Sequence, residues 1–208
     1  MEGVIQFSAV CESGDVPGAA SDLCCEVGPM REHLIRLGWV GARPDRYAGL
    51  GFGNLSVRDD SAGFYVTASQ IGGELPLRPD HWCLVLSVDA ENNRVRYQGK
   101  RPPSSESMTH AAVYEAHPDA ACVVHVHAPE VWQQRHALPY PQTSEAITYG
   151  TPGMYEETLR LVPQARDGVL VLGGHEDGLL IWGATVDEAY SRLLRLQEQA
   201  LRQEGVHG

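Results

Sequence analysis

Val123-Val124-His125-Val126-His127 is the segment that leaves this chain least freedom. Valine favours extended backbone, and in a strand residues two apart share a face, so His125 and His127 are presented together. Paired imidazoles are how a metal site begins. A catalytic divalent ion usually takes about three protein ligands and leaves one position for water or substrate, so a third ligand is expected elsewhere in the chain. Two residues qualify: His175, after the apolar run Val169-Leu170-Val171-Leu172, and Glu106, in Pro103-Ser104-Ser105-Glu106. Imidazole is also a common hydrogen-bonding group in protein cores, so the pair by itself does not make a site.

Composition narrows the partners. The 208 residues are 43% hydrophobic, enough for one sizeable core. We expect a single domain over residues 21–208 behind a flexible N-terminal arm, residues 1–20, rich in Gly, Ser and acidic side chains. The formal charge of −11, from 27 acidic against 16 basic residues, argues against a surface that tracks nucleic-acid phosphates. Any anionic substrate must therefore be held locally. No apolar run reaches the roughly 18 residues that would span a bilayer, and the first residues lack the basic flank and apolar core of a secretory signal, so a cytoplasmic protein without membrane contact is expected. The five cysteines, irregularly spaced, fit reduced thiols rather than a disulfide framework, and none sits in a paired zinc-ligand spacing.

The pattern predicts helix over 21–37, divided at Gly28-Pro29, then short strands at 54–58, 64–67, 82–88 and 94–98. A helix capped by Ser104 or Ser105 should run to about Ala116, followed by the strand 121–127. Short helices at 130–136 and 154–161 precede strands at 169–172 and 179–182, which flank the turn holding His175. Thr185 with Glu188 makes a capping box for a last helix through about Gln203. Helices at both ends of a largely antiparallel β region indicate a layered α/β domain.

Glu106, His125, His127 and His175 lie on three segments, each beside an element end where side chains can converge. That makes a facial three-nitrogen site with an open position, to which Glu106 adds a fourth ligand or a base whose acidity is set by burial and a neighbouring cation. His110, one turn after Glu106, suits packing or support. His33, His81, His117, His136 and His207 have no partners in the sequence and read as surface or structural residues. Three segments rich in backbone N–H groups and hydroxyls suit phosphate oxygens: 51–56, 67–73 and Ser104-Ser105 at a helix start.

These residues together resemble the class II aldolase/adducin family. The resemblance runs from about Leu34 to Leu196 and rests on Gly53-Asn54-Leu55-Ser56-Val57-Arg58, Thr67-Ala68-Ser69, Pro103-Ser104-Ser105-Glu106 with His110, the His125/His127 pair, and His175 before Ile181-Trp182-Gly183. It implies a three-layer α/β/α fold around a central, mainly antiparallel sheet, and a homotetramer with sites between subunits. It implies Zn2+, or Mn2+, Co2+ or Fe2+ in its place, on His125, His127 and His175, with Glu106 as acid/base or extra ligand and Asn54, Ser69, Ser104 and Ser105 around a phosphate. The implied activity is that of a lyase on a small hydroxy-ketone, a sugar phosphate, by aldol cleavage or dehydration through a metal-stabilised enediolate. Epimerisation or decarboxylation on the same site, or a non-catalytic adducin-like assembly role, are the alternatives.

Thr143-Ser144-Glu145-Ala146-Ile147 resembles the segment from which the family's dehydratases take a second acid/base, which would be Glu145, with Tyr140 and Tyr149 flanking it. The chain departs from the family pattern in three places. Gln70 follows Ser69 where glycine is usual, Glu176-Asp177 intervene between His175 and its glycine, and the stretch from Glu145 to Val169 is short.

Overall fold

A computed structural model describes residues 4–59 and 63–204, leaving out the side chains of residues 203 and 204. Residues 1–3 of the expected arm and His207 lie outside the described residues. The first half of the chain contains β1 (Ser8–Ser13), α1 (Ala20–Leu37), β2 (Gly41–Ala42), β3 (Gly51–Phe52), β4 (Asn54–Arg58), β5 (Phe64–Thr67), β6 (Trp82–Asp89) and β7 (Arg94–Gln98). The second half adds α2 (Ser107–Ala116), β8 (Cys122–His127), α3 (Pro129–Trp132), α4 (Pro152–Leu161), β9 (Val169–Val171), β10 (Gly178–Gly183) and α5 (Val186–Glu204).

Eight strands form one sheet in the order β1-β7-β6-β5-β4-β8-β10-β9, and every pairing except β1 with β7 is antiparallel. The architecture is the expected three-layer α/β/α arrangement. β8 lies between β4 and β10 and is buried at every residue, because both faces of the sheet are covered there. Its valines, with Leu55, Leu180 and Ile181 on the neighbouring strands, belong to one continuous apolar core that also encloses Trp39, Trp82 and Trp182. Burying each such aliphatic side chain contributes about 1.5–3 kcal/mol. Among the described residues no helix is long and apolar enough to cross a membrane.

Three local outcomes differ from the sequence expectation. Ser8–Ser13, expected within a poorly anchored arm, pairs in parallel with β7 as an edge strand, and Phe7 beside it is buried. Its exposed side chains gave no alternating apolar signal, so only a strand edge across the fold could reveal it. The expected break at Pro29 is absent, and α1 continues through it. Leu23, Val27, Met30 and Leu34 are buried at helical spacing on either side of that proline, and their packing outweighs the lost hydrogen bond. At α2 the residue at the helix boundary is Glu106 rather than either serine, and Ser104 Oγ accepts from the Glu106 N–H at 3.2 Å. The last helix starts as read, with Thr185 Oγ1 accepting from Glu188 N–H at 3.0 Å.

Candidate metal centre

The register of three adjacent strands assembles the site. His125 of β8 stands opposite Asn54 of β4 on one side and Leu180 of β10 on the other, and His127 stands opposite Gly178. Residues paired across a ladder project from the same face, so Asn54 and His125 are neighbours by construction. His175 enters from the turn between β9 and β10, which is closed by His175 N–H to Leu172 O at 3.2 Å and Gly178 N–H to His175 O at 2.9 Å. Gly174 permits that turn, since a Cβ there would lie 2.0 Å from Ile147 O.

The three imidazoles converge. One potential ligand atom from each of His125, His127 and His175 lies within 4.8 Å of the others, and all three residues are buried. The Leu179 carbonyl, 3.0 Å from His125 Nδ1, can only accept, so Nδ1 carries the proton and the Nε2 lone pair is left facing His127 Nε2 at 3.0 Å. Three imidazole nitrogens with a carboxylate alongside, and no lysine or arginine among them, form a donor set that suits a borderline divalent cation.

Glu106 is 1% exposed and reaches this cluster from the start of α2. Its Oε1 lies 3.3 Å from His175 Nδ1, while Oε2 accepts from Thr109 Oγ1 at 2.7 Å. The hydroxyl of Thr109, one turn along the helix, thus sets which carboxylate oxygen faces the histidines. His110 stays out of the site. Its Nδ1 is 2.6 Å from Ser56 Oγ, which also contacts Tyr114 OH at 2.8 Å, and burial pulls its pKa down to about 3. It packs the α2–β4 junction as a neutral ring.

Asn54, Ser69, Ser104 and Ser105 line a single pocket with Gly51, Phe52, Gly53, Ala68, Gln70, Ile71 and Gly72. All four residues expected around an anion are therefore brought together, directly beside His125. Gln70 adopts the left-handed conformation, with φ 64°, where the family pattern has glycine, and its Oε1 accepts from Gly51 N–H at 2.8 Å. The amide thus fastens two walls of the pocket to each other.

Glu145 is not brought to the histidines. Its side chain is exposed and accepts from Arg135 Nη2 at 2.8 Å, a pairing that holds its carboxyl below the usual range. Only its backbone adjoins the site, where Gly174 packs against it.

Four aromatic and polar contacts around the histidines escaped the sequence reading. The Tyr149 ring stacks on His175 with centroids 4.7 Å apart, and Tyr47 meets His127 edge-on at 4.7 Å. Tyr47 OH donates to Asp177 Oδ2 at 2.5 Å, and Arg46 Nη2 is 3.5 Å from the same oxygen. Burial, then the Asp177 acceptor, pushes the Tyr47 phenol well above its ordinary pKa, so it is a neutral donor. Tyr47, Tyr149, His175 and Glu176 line a cavity of about 450 Å³ beside the triad. The added Glu176-Asp177 was the one visible sign of this network, and Tyr47 gave none because its partners lie far away in sequence.

Residues 44–203 match the profile of the Class II Aldolase and Adducin N-terminal domain. The methylthioribulose-1-phosphate dehydratase of Gluconacetobacter diazotrophicus is 29% identical to this chain, over 79% of this chain and 83% of its own length. Among solved structures, L-fuculose-1-phosphate aldolase from Thermus thermophilus superposes with a TM-score of 0.65 at 23% identity, covering 90% of this chain and 95% of that one. A sugar-phosphate aldolase from Thermotoga maritima gives a TM-score of 0.66 at 17% identity, covering 91% and 97%.

Proposed function

The chain belongs to the class II aldolase and adducin family, and from that premise we propose that it is a metal-dependent lyase acting on a small phosphorylated hydroxy-ketone, by aldol cleavage or dehydration through an enediolate. The observation that carries this reading is one juxtaposition. A buried histidine triad with Glu106 beside it adjoins, through the Asn54–His125 pair, a pocket of hydroxyls, amides and backbone suited to phosphate oxygens. The names of the dehydratase and aldolase relatives point to the same substrate class.

His125, His127 and His175 would hold a divalent ion, Zn2+ by preference or Mn2+, Co2+ or Fe2+. Such an ion supplies Lewis-acid polarisation of a carbonyl and stabilises negative charge developing on its oxygen. Asn54, Ser69, Ser104 and Ser105 bind the anionic end of the substrate and set the distance of its carbonyl from the triad. Glu106 takes a proton from the carbon next to the carbonyl, or returns one after a carbon–carbon bond has broken, while Thr109 keeps its second oxygen occupied. Glu145 is the second acid/base of this reading. It must leave Arg135 to reach substrate, so a Glu145→Gln enzyme that retained full dehydration turnover would remove it from the mechanism. In this reading residues 21–208, with β1 completing the sheet, act as a single domain assembled into a homotetramer.

The direct test is elemental analysis of purified wild type against a His125→Ala/His127→Ala double substitution, followed by a screen of sugar phosphates for cleavage and dehydration. We expect about one divalent ion per chain in the wild type and none in the variant. A wild type that takes up no zinc or manganese would end the lyase mechanism and leave the assembly role in its place.

A further inference from the structure

Arg31 is the least expected buried residue in the protein. It lies on α1 next to Met30, inside an apolar stripe where a hydrophobic side chain would pack as well, yet it is a cation only 1% exposed. Burial lowers its pKa only to about 10, so the guanidinium stays charged at neutral pH. A buried charge persists only where its donors are satisfied. Here they are spent on one short stretch of backbone: Nη2 donates to Ile71 O at 2.5 Å and to Gly72 O at 3.0 Å, and Nη1 donates to Glu74 O at 2.6 Å.

That stretch is a wall of the anion pocket. Ile71 and Gly72 line it, and Arg31 does not. Within a trans peptide the C=O and N–H point in opposite directions. Drawing the Ile71 and Gly72 carbonyls back onto Arg31 therefore turns the N–H groups of Gly72 and Gly73 away from it. The strip has little room to do otherwise, since a Cβ on Gly72 would lie 2.2 Å from Gly41 O. The pocket lining itself contains no lysine, arginine or histidine, and the chain carries a net charge of −11. An anion entering it meets only neutral groups in front, with the Arg31 charge standing behind the Ile71–Gly72 wall.

We propose that Arg31 is a positioning residue for anion recognition, a buried guanidinium that gathers the 71–74 carbonyls to the rear so that the opposite side of this strip, backed by positive charge, receives the substrate's phosphate. The proposal rests on the phosphate-pocket reading above. It assigns to a residue outside the pocket a large part of the pocket's affinity, and it explains how a pocket with no cation in its lining holds a dianion. A planar fork that serves three carbonyls of one turn is a task for arginine, which lysine performs only in part.

The test is titration of the purified, metal-containing protein with inorganic phosphate by calorimetry, comparing wild type, Arg31→Met, Arg31→Lys and Ser104→Ala, with metal content measured in parallel. We expect Arg31→Met to raise the phosphate Kd about tenfold or more and Arg31→Lys about threefold, with metal content unchanged in both. Arg31→Met and Arg31→Lys at wild-type Kd, with Ser104→Ala weakened, would overturn the proposal while leaving the phosphate pocket intact. A wild type that binds no phosphate would overturn both. Should circular dichroism show Arg31→Met unfolded, Arg31→Lys decides alone: about threefold weaker binding at unchanged metal content supports the proposal, and unchanged binding overturns it.

Discussion

The histidine cluster and the anion pocket sit side by side but are built by different means. His125 and His127 ride on a strand buried on both faces, so the ladder with β4 and β10 fixes where they point and little else is needed. Most of the pocket is made of connections, namely the turns at Gly53, Ser69–Gly72 and Ser104-Ser105, and ladder pairing reaches it at Asn54 on β4 and at Gly51-Phe52 in the two-residue β2–β3 pair. Its walls are fastened by long side chains instead: Gln70 to Gly51, Arg31 to the 71–74 carbonyls, and Glu74, whose Oε1 accepts from Arg101 at 2.7 Å and Oε2 from Arg78 at 2.8 Å. A strand-borne site draws its geometry from the sheet. A loop-borne site must carry its own supports, and each support is a place where affinity can be altered without touching the histidines.

The sharpest way to separate the two regions is Glu106→Gln, which keeps the size and the Thr109 partner of the side chain but removes its basicity. We expect kcat to fall roughly 100- to 10,000-fold with KM and the phosphate Kd little changed, as steady-state kinetics and phosphate titration would show. A matching loss in phosphate affinity would mean that the two regions are not separable. Gly72→Ala is the converse. The added Cβ must displace the loop, at a stability cost of about 1–3 kcal/mol, and the phosphate Kd should rise about tenfold while metal content, read by elemental analysis, stays at wild-type level.

The smallest effect is on stability and distinguishes the supports by pH. The folded-state pKa of His110, about 3, lies below its unfolded value of 6.5, so unfolding takes up a proton and the stability His110 contributes is lost as pH falls from 6.5 towards 3. Glu74 is also depressed, to about 2, chiefly by the Arg101 hydrogen bond, but its contribution is whole above its unfolded value of 4.5 and is lost only as pH falls from there towards 2. Melting temperatures recorded between pH 6.5 and 4.5 should therefore decline less steeply in His110→Leu than in wild type. In Glu74→Gln the slope should flatten below 4.5, and because the same carboxylate stands 3.1 Å from His81 Nε2, whose pKa burial already lowers, its loss should steepen the decline between 6.5 and 4.5. A Glu74→Gln slope unchanged above pH 4.5 would show that the carboxylate does not act on His81.

Much of this molecule was legible because its signals are local. The His-x-His spacing, the alternating runs at 54–58 and 94–98, and the Thr185/Glu188 box each depend on residues a few positions apart, and each formed close to where it was read. The family pattern supplied Asn54, Ser69, Ser104 and Ser105 as a set, and they share a pocket. What stayed hidden depends on who meets whom. β1 is a strand only because β7 offers an edge, and α1 ignores Pro29 only because its apolar stripe is buried. Glu145 turns to Arg135, ten positions earlier, and Tyr47 to Asp177, 130 positions later.

Which side chains could share a face followed from residue order, since periodicity along a strand or helix comes from backbone geometry alone. Which of those faces meet, and what holds the intervening loops, came from long-range packing. Arg31 shows why. Its charge matters through three carbonyls that lie 40 to 43 positions further along the chain, and backbone carbonyls, identical at every residue, leave no mark in a sequence.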